Sequence, residues 1–457
     1  MKSLILWALL AALASVAAAA TWHVAVDGSG DLPTIAAALA VAEPGDVVEL
    51  ADGTYLEHDL VMASGVTLRS ASGDPYGAIV DAQQLARVIL AQDLPEPIVF
   101  SGLTFTGGFL PYDGGMSLGA GMCCEEVDVT IVGCRFVGND ADAKGGGLSV
   151  AHARIDLVGC EFSGNEGENG GGGGLYGRDC QGAITECSFV ANRGIDGAGM
   201  YLRYSSPTVS RCTFLSNDGW FFGGAVLLEL ESSPRFEHCT FVDNEASLGA
   251  GLMTDSDAEP ILEGCVVAFN RDGAGLYCED NAPPLGIGCS LVFGNEGGGY
   301  AGNLEDQTGI DGNLAQDPLF CDLAAGDLTV AANSPCLPAG NACGVLMGAW
   351  GEGCAADLTN APELPGVTVL VGNAPNPFNP RTEITFVLPR AERAALRVFD
   401  PAGRLVRQLV DAELPAGPQT VTWDGRDTRG RSVPAGAYLA RLDVGAVIRT
   451  CRMALVR

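Results

Sequence analysis

A six-residue unit, Cys-x-Phe-x-x-Asn, recurs along the middle of the chain and constrains the fold more than any other feature. The unit begins at Cys134, Cys160, Cys187, Cys212 and Cys239. Degenerate forms begin at Cys265 and, one residue longer, at Cys289, and successive units start 24 to 27 residues apart. Repeats of this length are typical of solenoids, in which each unit is one structural turn that stacks on the next.

Within each unit the apolar residues follow the two-residue period of a β-strand, as at Cys134/Phe136 and Val226/Leu228. No part of the unit has the length or the 3.6-residue period of a helix. About three short strands per unit, separated by Gly and Asn turns, cannot bury their apolar faces alone, so neighbouring coils must stack. The repeat therefore predicts an all-β parallel β-helix, which we place at residues 21–360.

The repeated polar and thiol residues have structural interpretations. The asparagines suit a turn with positive φ and can stack as a ladder of side-chain amides; they are Asn139, Asn165, Asn192, Asn217, Asn244 and Asn270. The cysteines would stack near 4.8 Å apart, which is too far for an undistorted disulfide. We expect a column of buried thiols, with disulfides or a metal site as the alternative.

Charge divides the chain into two parts. The whole chain has a formal net charge of -31, but residues 367–457 carry a net charge of +5 and residues 1–366 a net charge of -36. The Pro-rich stretch 361–366 lies at the changeover and is predicted to be a linker between domains. A chain this acidic lacks the basic surface that nucleic-acid binding requires.

The first twenty residues are typical of a secretory signal, with Lys2, an apolar stretch and an Ala-rich cleavage site. We therefore expect an exported protein without a membrane span after cleavage. Export permits cysteine oxidation in the irregular segment 317–354, the predicted C-terminal cap. That segment contains Cys321, Cys336, Cys343 and Cys354. Four cysteines allow three pairings, and we expect the local pairs Cys321–Cys336 and Cys343–Cys354.

Acidic residues follow the ladder asparagines in most units. They are Asp140, Glu166, Asp218, Glu245, Asp272 and Glu296. On stacked coils they would lie near one another, and like charges in a row repel. Calcium can bridge such carboxylates. The alternative is a solvated acidic edge, and no other cofactor is expected.

Three consecutive aromatic residues interrupt the repeat after Asp218, namely Trp220, Phe221 and Phe222. Aromatic rings provide platforms for sugar rings, and exposed apolar patches mark contact surfaces. This segment is a candidate ligand-binding site. Ordinary packing over a neighbouring loop is the alternative.

Evidence for catalysis is weak in the sequence. The four histidines show no metal-binding spacing, and no serine lies in a nucleophile elbow. A polysaccharide lyase needs a basic proton acceptor and cationic side chains that hold the substrate. Lys144, Arg178 and Arg203 could serve, but nothing in the sequence distinguishes them from other basic residues. We therefore predict no catalytic residues.

The repeats, here Phe241–Asn244 and Gly223-Gly224-Ala225-Val226, resemble those of the polymorphic outer-membrane protein family. More broadly, the chain resembles right-handed parallel β-helix proteins of the pectin-lyase type, which include adhesins, lyases and glycosidases. Its beginning is similar to that of pectinesterase-like β-helices, with a short helix capped by Asp31 or a neighbour. The Gln and Arg residues that serve catalysis in that family are missing, so this resemblance implies a cap and no active site.

Residues 367–457 alternate as short strands and predict a small Ig-like β-sandwich, with candidate strands at 383–388, 395–400, 419–424 and 437–442. The domain resembles the C-terminal sorting domain of type IX secretion and the Ig-like domain of flagellar hook-capping proteins. The motif residues are Asn376, Pro377, Phe378, Asn379, Pro380, Trp423, Asp424 and Gly425. The resemblance implies delivery by a secretion machinery; an Ig-like spacer without a sorting role is the alternative.

Together these features predict a secreted or cell-surface β-helix protein that acts as a non-catalytic adhesin or glycan-binding protein. A surface or extracellular polysaccharide is the expected partner. The alternative is a polysaccharide-degrading lyase or glycoside hydrolase on the same fold.

Overall fold

A computed structural model of the chain describes residues 19–111, 118–168, 170–355, 369–376, 378–388, 391–400, 404–415, 417–445 and 447–456. The predicted signal segment up to residue 18, the predicted linker 361–366 and Pro377 lie outside these residues. The chain divides into two compact units, one ending at Gly353 and one beginning at Cys354. None of the helices in the described ranges is long and apolar enough to cross a bilayer.

The first unit is a parallel β-helix, as predicted. Each complete coil passes through four short strands, one more than expected, and each strand pairs in parallel with its counterpart in the next coil. In the order in which the chain visits them, we number the four sheets 1 to 4. Sheet 1 has eleven strands in the described chain: Thr21–Val24, Val47–Leu50, Thr67–Ser70, Ile98–Ser101, Val129–Val132, Arg154–Val158, Gln181–Thr185, Thr208–Ser210, Arg235–Glu237, Ile261–Glu263 and Gly286–Gly288.

Sheet 2 contains the phenylalanines of the repeat. Its strands are Gly53–Tyr55, Ala78–Asp81, Thr104–Thr106, Arg135–Val137, Glu161–Ser163, Ser188–Val190, Thr213–Leu215, Thr240–Val242, Val266–Ala268 and Leu291–Phe293. Sheet 3 follows the asparagines and is the additional sheet. Its strands are Phe109–Leu110, Asp140–Ala141, Glu166–Gly167, Arg193–Asp196, Asp218–Phe222, Glu245–Ala246 and Arg271–Asp272.

Sheet 4 returns the chain towards sheet 1. Its strands are Leu60–Val61, Ile89–Gln92, Met122–Glu125, Leu148–Ala151, Leu175–Arg178, Met200–Arg203, Val226–Glu229, Leu252–Thr254, Leu276–Cys278 and Tyr300–Gly302. The glycine-rich segments of the repeat connect sheet 3 to sheet 4, where adjacent coils come close together. A Cβ atom at Gly147 would lie 2.6 Å from the carbonyl oxygen of Gly174, so a larger residue does not fit there.

The core is a set of stacked columns. The rings of Phe136, Phe162, Phe189, Phe214 and Phe241 are fully buried, and their centroids are 4.8 to 4.9 Å apart with nearly parallel planes. This spacing is the distance between hydrogen-bonded strands. The predicted phenylalanine column inside the β-helix is therefore confirmed.

The predicted asparagine ladder is also confirmed. Asn192 is buried; its Nδ2 donates to Phe162 O and to Asn217 Oδ1, and its Oδ1 accepts from Asn165 N and Nδ2, all at 2.9 to 3.1 Å. The same four bonds recur in the neighbouring coils, as at Asn217 and Asn244. Each amide therefore satisfies buried backbone groups at the corner between sheets 2 and 3.

The prediction that the asparagines themselves adopt positive φ is wrong. The left-handed residue is the one before each asparagine, which has a φ of 61° at Gly164 and 52° at Ala191. The residues before the cysteines behave in the same way, with a φ of 60° at Gly159 and 55° at Glu186. The corner turns one residue earlier, which leaves the asparagine free to point its amide along the stack.

The repeated cysteines form the expected column of buried thiols. Cys134, Cys160, Cys187, Cys212, Cys239 and Cys265 are free and buried. Several thiols donate to backbone carbonyls, as Cys160 Sγ does to Ile131 O at 3.3 Å. Cys289 does not belong to this column, because the longer repeat shifts it to the corner and places buried Ser290 inward. Ser290 Oγ accepts from Cys265 N at 3.0 Å in its place.

The expected disulfides of the C-terminal segment are wrong. Cys343 bonds to Cys289, and Cys336 is a buried free thiol. Cys321 and Cys354 are the other oxidised cysteines. The local pairs fail because Cys336 packs inward beside Val266 and Met347, while the corner position of Cys289 turns its side chain outward to Cys343.

The C-terminal cap segment packs along the side of sheet 2. It contains the strands Phe320–Asp322, Asp327–Ala331 and Glu352–Cys354 and the 3-10 turn Leu323–Ala325. Ala349 N donates to Thr240 Oγ1 and Trp350 Nε1 to Thr213 Oγ1, both at 2.9 Å. At the other end the helix Ile35–Leu39 caps the solenoid, and Thr34 is its N-cap instead of Asp31.

The second unit is a small antiparallel β-sandwich, as predicted. One sheet contains Val369–Ala374, Thr382–Leu388 and Gly417–Trp423. The other contains Leu405–Leu414, Glu392–Phe399, Gly436–Val444 and Val447–Leu455. The four candidate strands from the sequence correspond to strands here, and the first, fourth and last strands of this unit were missed.

Candidate functional site

The outer face of sheet 4 departs from the ordinary pattern of a β-helix, because its outward side chains are buried. The column runs through Ser149, Tyr176, Tyr201, Leu227 and Met253, of which the last four form a separate apolar cluster. Glycines of the preceding loops make this close cover possible. At Gly197, where φ is 53°, a Cβ atom would lie 3.0 Å from the Cβ atoms of Tyr201 and Leu227.

Lys144 lies on this column, between the loops and the tyrosines. Its Nζ is 5.0 Å from the ring centroid of Tyr176 and 5.1 Å from that of Tyr201. Gly170 lies against its aliphatic chain, so closely that a Cβ atom there would be 2.6 Å from Cγ and Cε of Lys144. The half-buried amine is thereby held over two aromatic faces.

Charged residues at the ends of two strands of sheet 4, Arg203 and Glu229, lie beside these tyrosines. Arg203 Nε is 3.1 Å from Glu229 Oε2, and the hydroxyl of Tyr201 donates to the same carboxylate oxygen. Arg178 is in register with Arg203 on the preceding coil. We call Lys144, Tyr176, Tyr201, Arg203 and Glu229 the lysine–tyrosine cluster.

The environment of the cluster shifts the pKa values of its ionisable side chains. Burial lowers the pKa of Lys144, and the positive charge of Arg203 lowers it further. Burial raises the pKa of Tyr201, and Glu229 adds to this effect. Close by, burial and the charge of Glu229 raise the pKa of Asp196 to about 6. The pKa values of Lys144 and Asp196 are thus moved towards each other, which is the direction expected of groups that exchange protons.

The predicted aromatic site lies on the last residues of the strand Asp218–Phe222. Trp220 is 68% exposed, Phe221 53% and Phe222 38%. We call these three residues the aromatic ledge. The alternative that they pack under a neighbouring loop does not describe Trp220 and Phe221, most of whose surface is in solvent.

The ledge and the lysine–tyrosine cluster meet at Asp196. Asp196 pairs in register with Phe222 after a bulge in sheet 3, and Phe222 O accepts from Gly197 N at 2.7 Å. Asp196 also acts electrostatically on Lys144. Its buried Oδ1 has no hydrogen-bond partner. An aromatic surface, an amine and a carboxyl group thus border one face of the β-helix.

The six acidic residues proposed as calcium ligands do not form one continuous row. Asp140 stacks on Glu166, and Asp218 on Glu245. Arg193 stands between the two pairs, and Arg271 follows the second. The remaining two residues, Asp272 and Glu296, lie beyond Arg271, where Asp272 N donates to Glu296 Oε2 at 3.2 Å.

Two coils place arginine at the acidic position, as the sequence shows with Arg193 after Asn192 and Arg271 after Asn270. Arg271 Nη1 is 2.7 Å from Glu245 Oε2 and balances that pair. Among the residues that the structure describes, no three His, Cys, Asp or Glu side chains are grouped to hold a metal ion. Calcium binding stays a prediction.

The motif residues of the second unit have structural roles. Phe378 and Trp423 are buried, with ring centroids 5.4 Å apart. Asn376 binds the last strand through Arg452 O and Ala454 N. Asp424 pairs with Arg407 at 2.9 Å, and Gly425 has a φ of 68°. Asn379 and Pro380 are exposed.

Sequence reasoning named Lys144, Arg178 and Arg203 without a reason to prefer them, and it missed Tyr176, Tyr201, Asp196 and Glu229. One signal was available, because Lys144 is the only lysine after Lys2 in a chain with 23 arginines. The tyrosines occupy outward positions of sheet 4, but only the overlying glycine loops show that they are covered.

Comparisons with known proteins agree with the two folds. Residues 146–315 match the family described as right handed beta helix region, and residues 376–444 match the FlgD Ig-like domain. A stretch of 78 residues is 36% identical to the basal-body rod modification protein FlgD of Salmonella typhimurium and of Salmonella typhi. It covers 16% of this chain, and the chain spans about a third (34%) of the length of these relatives.

Among solved structures, the chain is similar to PorZ, which is described as an essential bacterial surface component of the type-IX secretion system of Porphyromonas gingivalis. The identity is 18%, the coverage is 22% of this chain and 12% of that chain, and the TM-score is 0.15. The family matches thus identify a right-handed β-helix region and a FlgD-like Ig domain in the two units that the sequence predicts.

Proposed function

We propose that this protein is exported, is held at the cell surface and binds a saccharide at the aromatic ledge of sheet 3 without cleaving it. The aromatic ledge is the observation that carries the proposal. Its three rings are not needed for the β-helix, because the equivalent strand Arg193–Asp196 contains no aromatic residue. Aromatic faces bind the C–H surfaces of sugar rings, and an exposed aromatic group of this kind is otherwise a solubility cost.

The ledge also has the polar neighbours that a saccharide site uses to orient hydroxyl groups. Asp196 pairs with Phe222, and its Oδ1 lacks a hydrogen-bond partner. Ser247 Oγ donates to Trp220 O at 3.0 Å, which fixes the strand from the next coil. Apolar surface with a few placed polar groups is typical of ligand sites.

The test is binding of the full chain to a panel of immobilised polysaccharides and glycans. We expect Trp220→Ala to weaken binding about tenfold, which corresponds to about 1.4 kcal/mol. Trp350→Ala is the matched control, because Trp350 is also exposed but lies on the cap segment along sheet 2. Equal binding by wild type and Trp220→Ala, or equal loss in both variants, would contradict the proposal.

For delivery we propose that the C-terminal unit directs the protein to the surface through a secretion or sorting machinery. The supporting observation is that the motif residues Asn376, Phe378 and Trp423 are built into a FlgD-like Ig fold. Removing residues 367–457 in the native host should leave the β-helix inside the cell envelope. Unchanged surface display of the shortened protein would leave only the Ig-like spacer.

A second candidate function, polysaccharide cleavage, is favoured by the lysine–tyrosine cluster. Lys144 has a lowered pKa and Asp196 a raised one, and the two groups interact. The full chain should then release reducing ends or unsaturated products from a polysaccharide, and Lys144→Ala should abolish the release. Absence of any product across the panel that shows binding would favour the non-catalytic function.

A further inference from the structure

Asp46 is the one charged side chain in the described part of the chain that is less than a tenth exposed, with 7% of its surface in solvent. It lies directly before the second strand of sheet 1, Val47–Leu50. No lysine, arginine or histidine among the described residues forms an ion pair with it. A buried carboxylate is costly unless hydrogen bonds and an opposite charge compensate for the lost water.

Three N–H groups donate to the carboxylate of Asp46. Ala20 N donates to Oδ1 at 2.7 Å, and Trp22 Nε1 and Glu43 N donate to Oδ2, both at 3.1 Å. These hydrogen bonds lower the pKa of Asp46, so the carboxyl group is ionised at neutral pH. The three donors satisfy the oxygen atoms, but none of them carries a full positive charge. The site therefore provides for hydrogen bonding and leaves the negative charge unbalanced.

Among the described residues, Ala20 is the first that hydrogen-bonds to the β-helix. Its carbonyl oxygen accepts from Val47 N at 2.9 Å, and the next residue, Thr21, pairs with Val47 in sheet 1. Ala19 is exposed. A signal of twenty residues would end after Ala20, and its removal would take away both hydrogen bonds of that residue. The sequence also permits a cut after Ala19, because Ala17 and Ala19 provide the small residues of a cleavage site.

We propose that a signal peptidase hydrolyses the bond between Ala19 and Ala20, and that Asp46 binds the ammonium group released at Ala20. The water oxygen bonds to the carbonyl carbon of Ala19, and the carbon–nitrogen bond breaks. Both water protons go to the nitrogen of Ala20, which becomes the α-ammonium group. This nitrogen already lies 2.7 Å from Asp46 Oδ1, so the cut supplies the missing positive charge in place. The proposal rests on export, which is part of the proposed function.

The first measurement is the N-terminal sequence and the intact mass of the full chain after expression in the native host. We expect Ala20 as the first residue. An exported chain that begins at Thr21, and is one alanine lighter, overturns the proposal while export stands. An uncut chain that stays in the cytoplasm overturns both the proposal and export. Saccharide binding that depends on Trp220 is measured separately and survives either result.

The second measurement is an NMR titration of the processed protein after reductive methylation with a ¹³C label. Only two amines remain after the cut, those of Ala20 and Lys144, and Lys144→Arg assigns the two signals. We expect the α-amine to titrate at least one pH unit above its ordinary range of about 7.7–8.0, because an ionised carboxylate stabilises the ammonium form.

Asp46→Asn should return the titration midpoint to the ordinary range, since the amide has the size of the carboxyl group and no charge. Glu43→Gln is the matched control, because it removes an exposed carboxylate from the same corner and should leave the midpoint raised. An ordinary midpoint in the wild-type protein overturns the ion pair, whether or not the Asp46→Asn variant folds. Equal midpoints in the wild type and in Asp46→Asn overturn it as well.

Discussion

The inner face of sheet 2 and the outer face of sheet 4 are both buried, yet they use residues in opposite ways. Inside sheet 2 the same side chain returns in coil after coil, as in Phe136, Phe162 and Phe189. Outside sheet 4 the column changes from Ser149 to Tyr176, Tyr201, Leu227 and Met253. A residue of the interior column packs against the equivalent residues of the coils before and after it. An outward residue of sheet 4 packs against the glycine loop that covers it, and these loops differ between coils.

The interior columns therefore specify the fold, whereas the outward side chains can vary from coil to coil and form functional sites. Repetition is required where equal side chains stack at the strand spacing of 4.8 Å. It is not required outside, and there the lysine–tyrosine cluster and the aromatic ledge occur.

Removing one ring from the interior column should be costly, and removing one from the ledge should not. Phe189→Ala should lower the free energy of unfolding by about 3–5 kcal/mol, because it leaves a cavity between Phe162 and Phe214. Trp220→Ala should change it by less than about 0.5 kcal/mol. Chemical denaturation of both variants measures the difference. Similar losses in the two would mean that the ledge supports the fold.

The asparagine ladder should depend on each amide. Asn192→Ala removes four hydrogen bonds and leaves buried backbone and amide groups without partners, so we expect a loss of about 3 kcal/mol. The exposed Gln181→Ala, which also removes an amide, is the control and should be nearly neutral. A loss below about 1 kcal/mol for Asn192→Ala would show that water replaces the amide.

The corner residues allow a reciprocal pair of substitutions. Gly164 and Ala191 occupy equivalent corners with φ of 61° and 52°, and a Cβ atom at Gly164 would meet nothing within 4 Å. Gly164→Ala should destabilise the protein by about 1 kcal/mol, and Ala191→Gly should stabilise it by a similar or smaller amount. Thermal melts of the two variants measure this, and shifts of the same sign would contradict it.

Asp196 should give the outer face an unusual dependence on pH. Its pKa is raised to about 6 in the folded protein, mainly by burial, above the ordinary value of 3.8. The ionised carboxyl therefore destabilises the fold above pH 6, and this cost disappears as pH falls from about 6 to 4. Asp196→Asn should raise the melting temperature at pH 8 and leave it unchanged near pH 4. The same gain at both pH values would contradict this account.

The smallest effect is expected from calcium. Arg193 and Arg271 already interrupt the acidic row, so millimolar calcium should raise the melting temperature no more than sodium chloride at the same ionic strength. A chelator should then have no effect. A rise specific to calcium would show that neighbouring acidic pairs, such as Asp140 and Glu166, bind the ion after all.

The sequence was most informative where a physical requirement repeats. The phenylalanine and asparagine columns and the thiol column follow from the spacing of the repeat, because stacked coils place equivalent residues in contact. The error in the disulfides occurred where one coil differs from the others. The extra residue before Asn295 moved Cys289 out of the thiol column, and this shift created the bond to Cys343 that local pairing did not predict.

The sequence by itself therefore determined the stacked interior, the Ig-like second unit and the presence of one isolated lysine. Only the tertiary structure decided that Lys144 lies over Tyr176 and Tyr201, and that Asp196 connects it to Phe222. The physical reason is that an interior column needs each coil to match the next, which leaves a period in the sequence. Each contact between an outer strand and its glycine loop occurs in one coil only. It therefore produces no repeating pattern in the sequence from which it could be predicted.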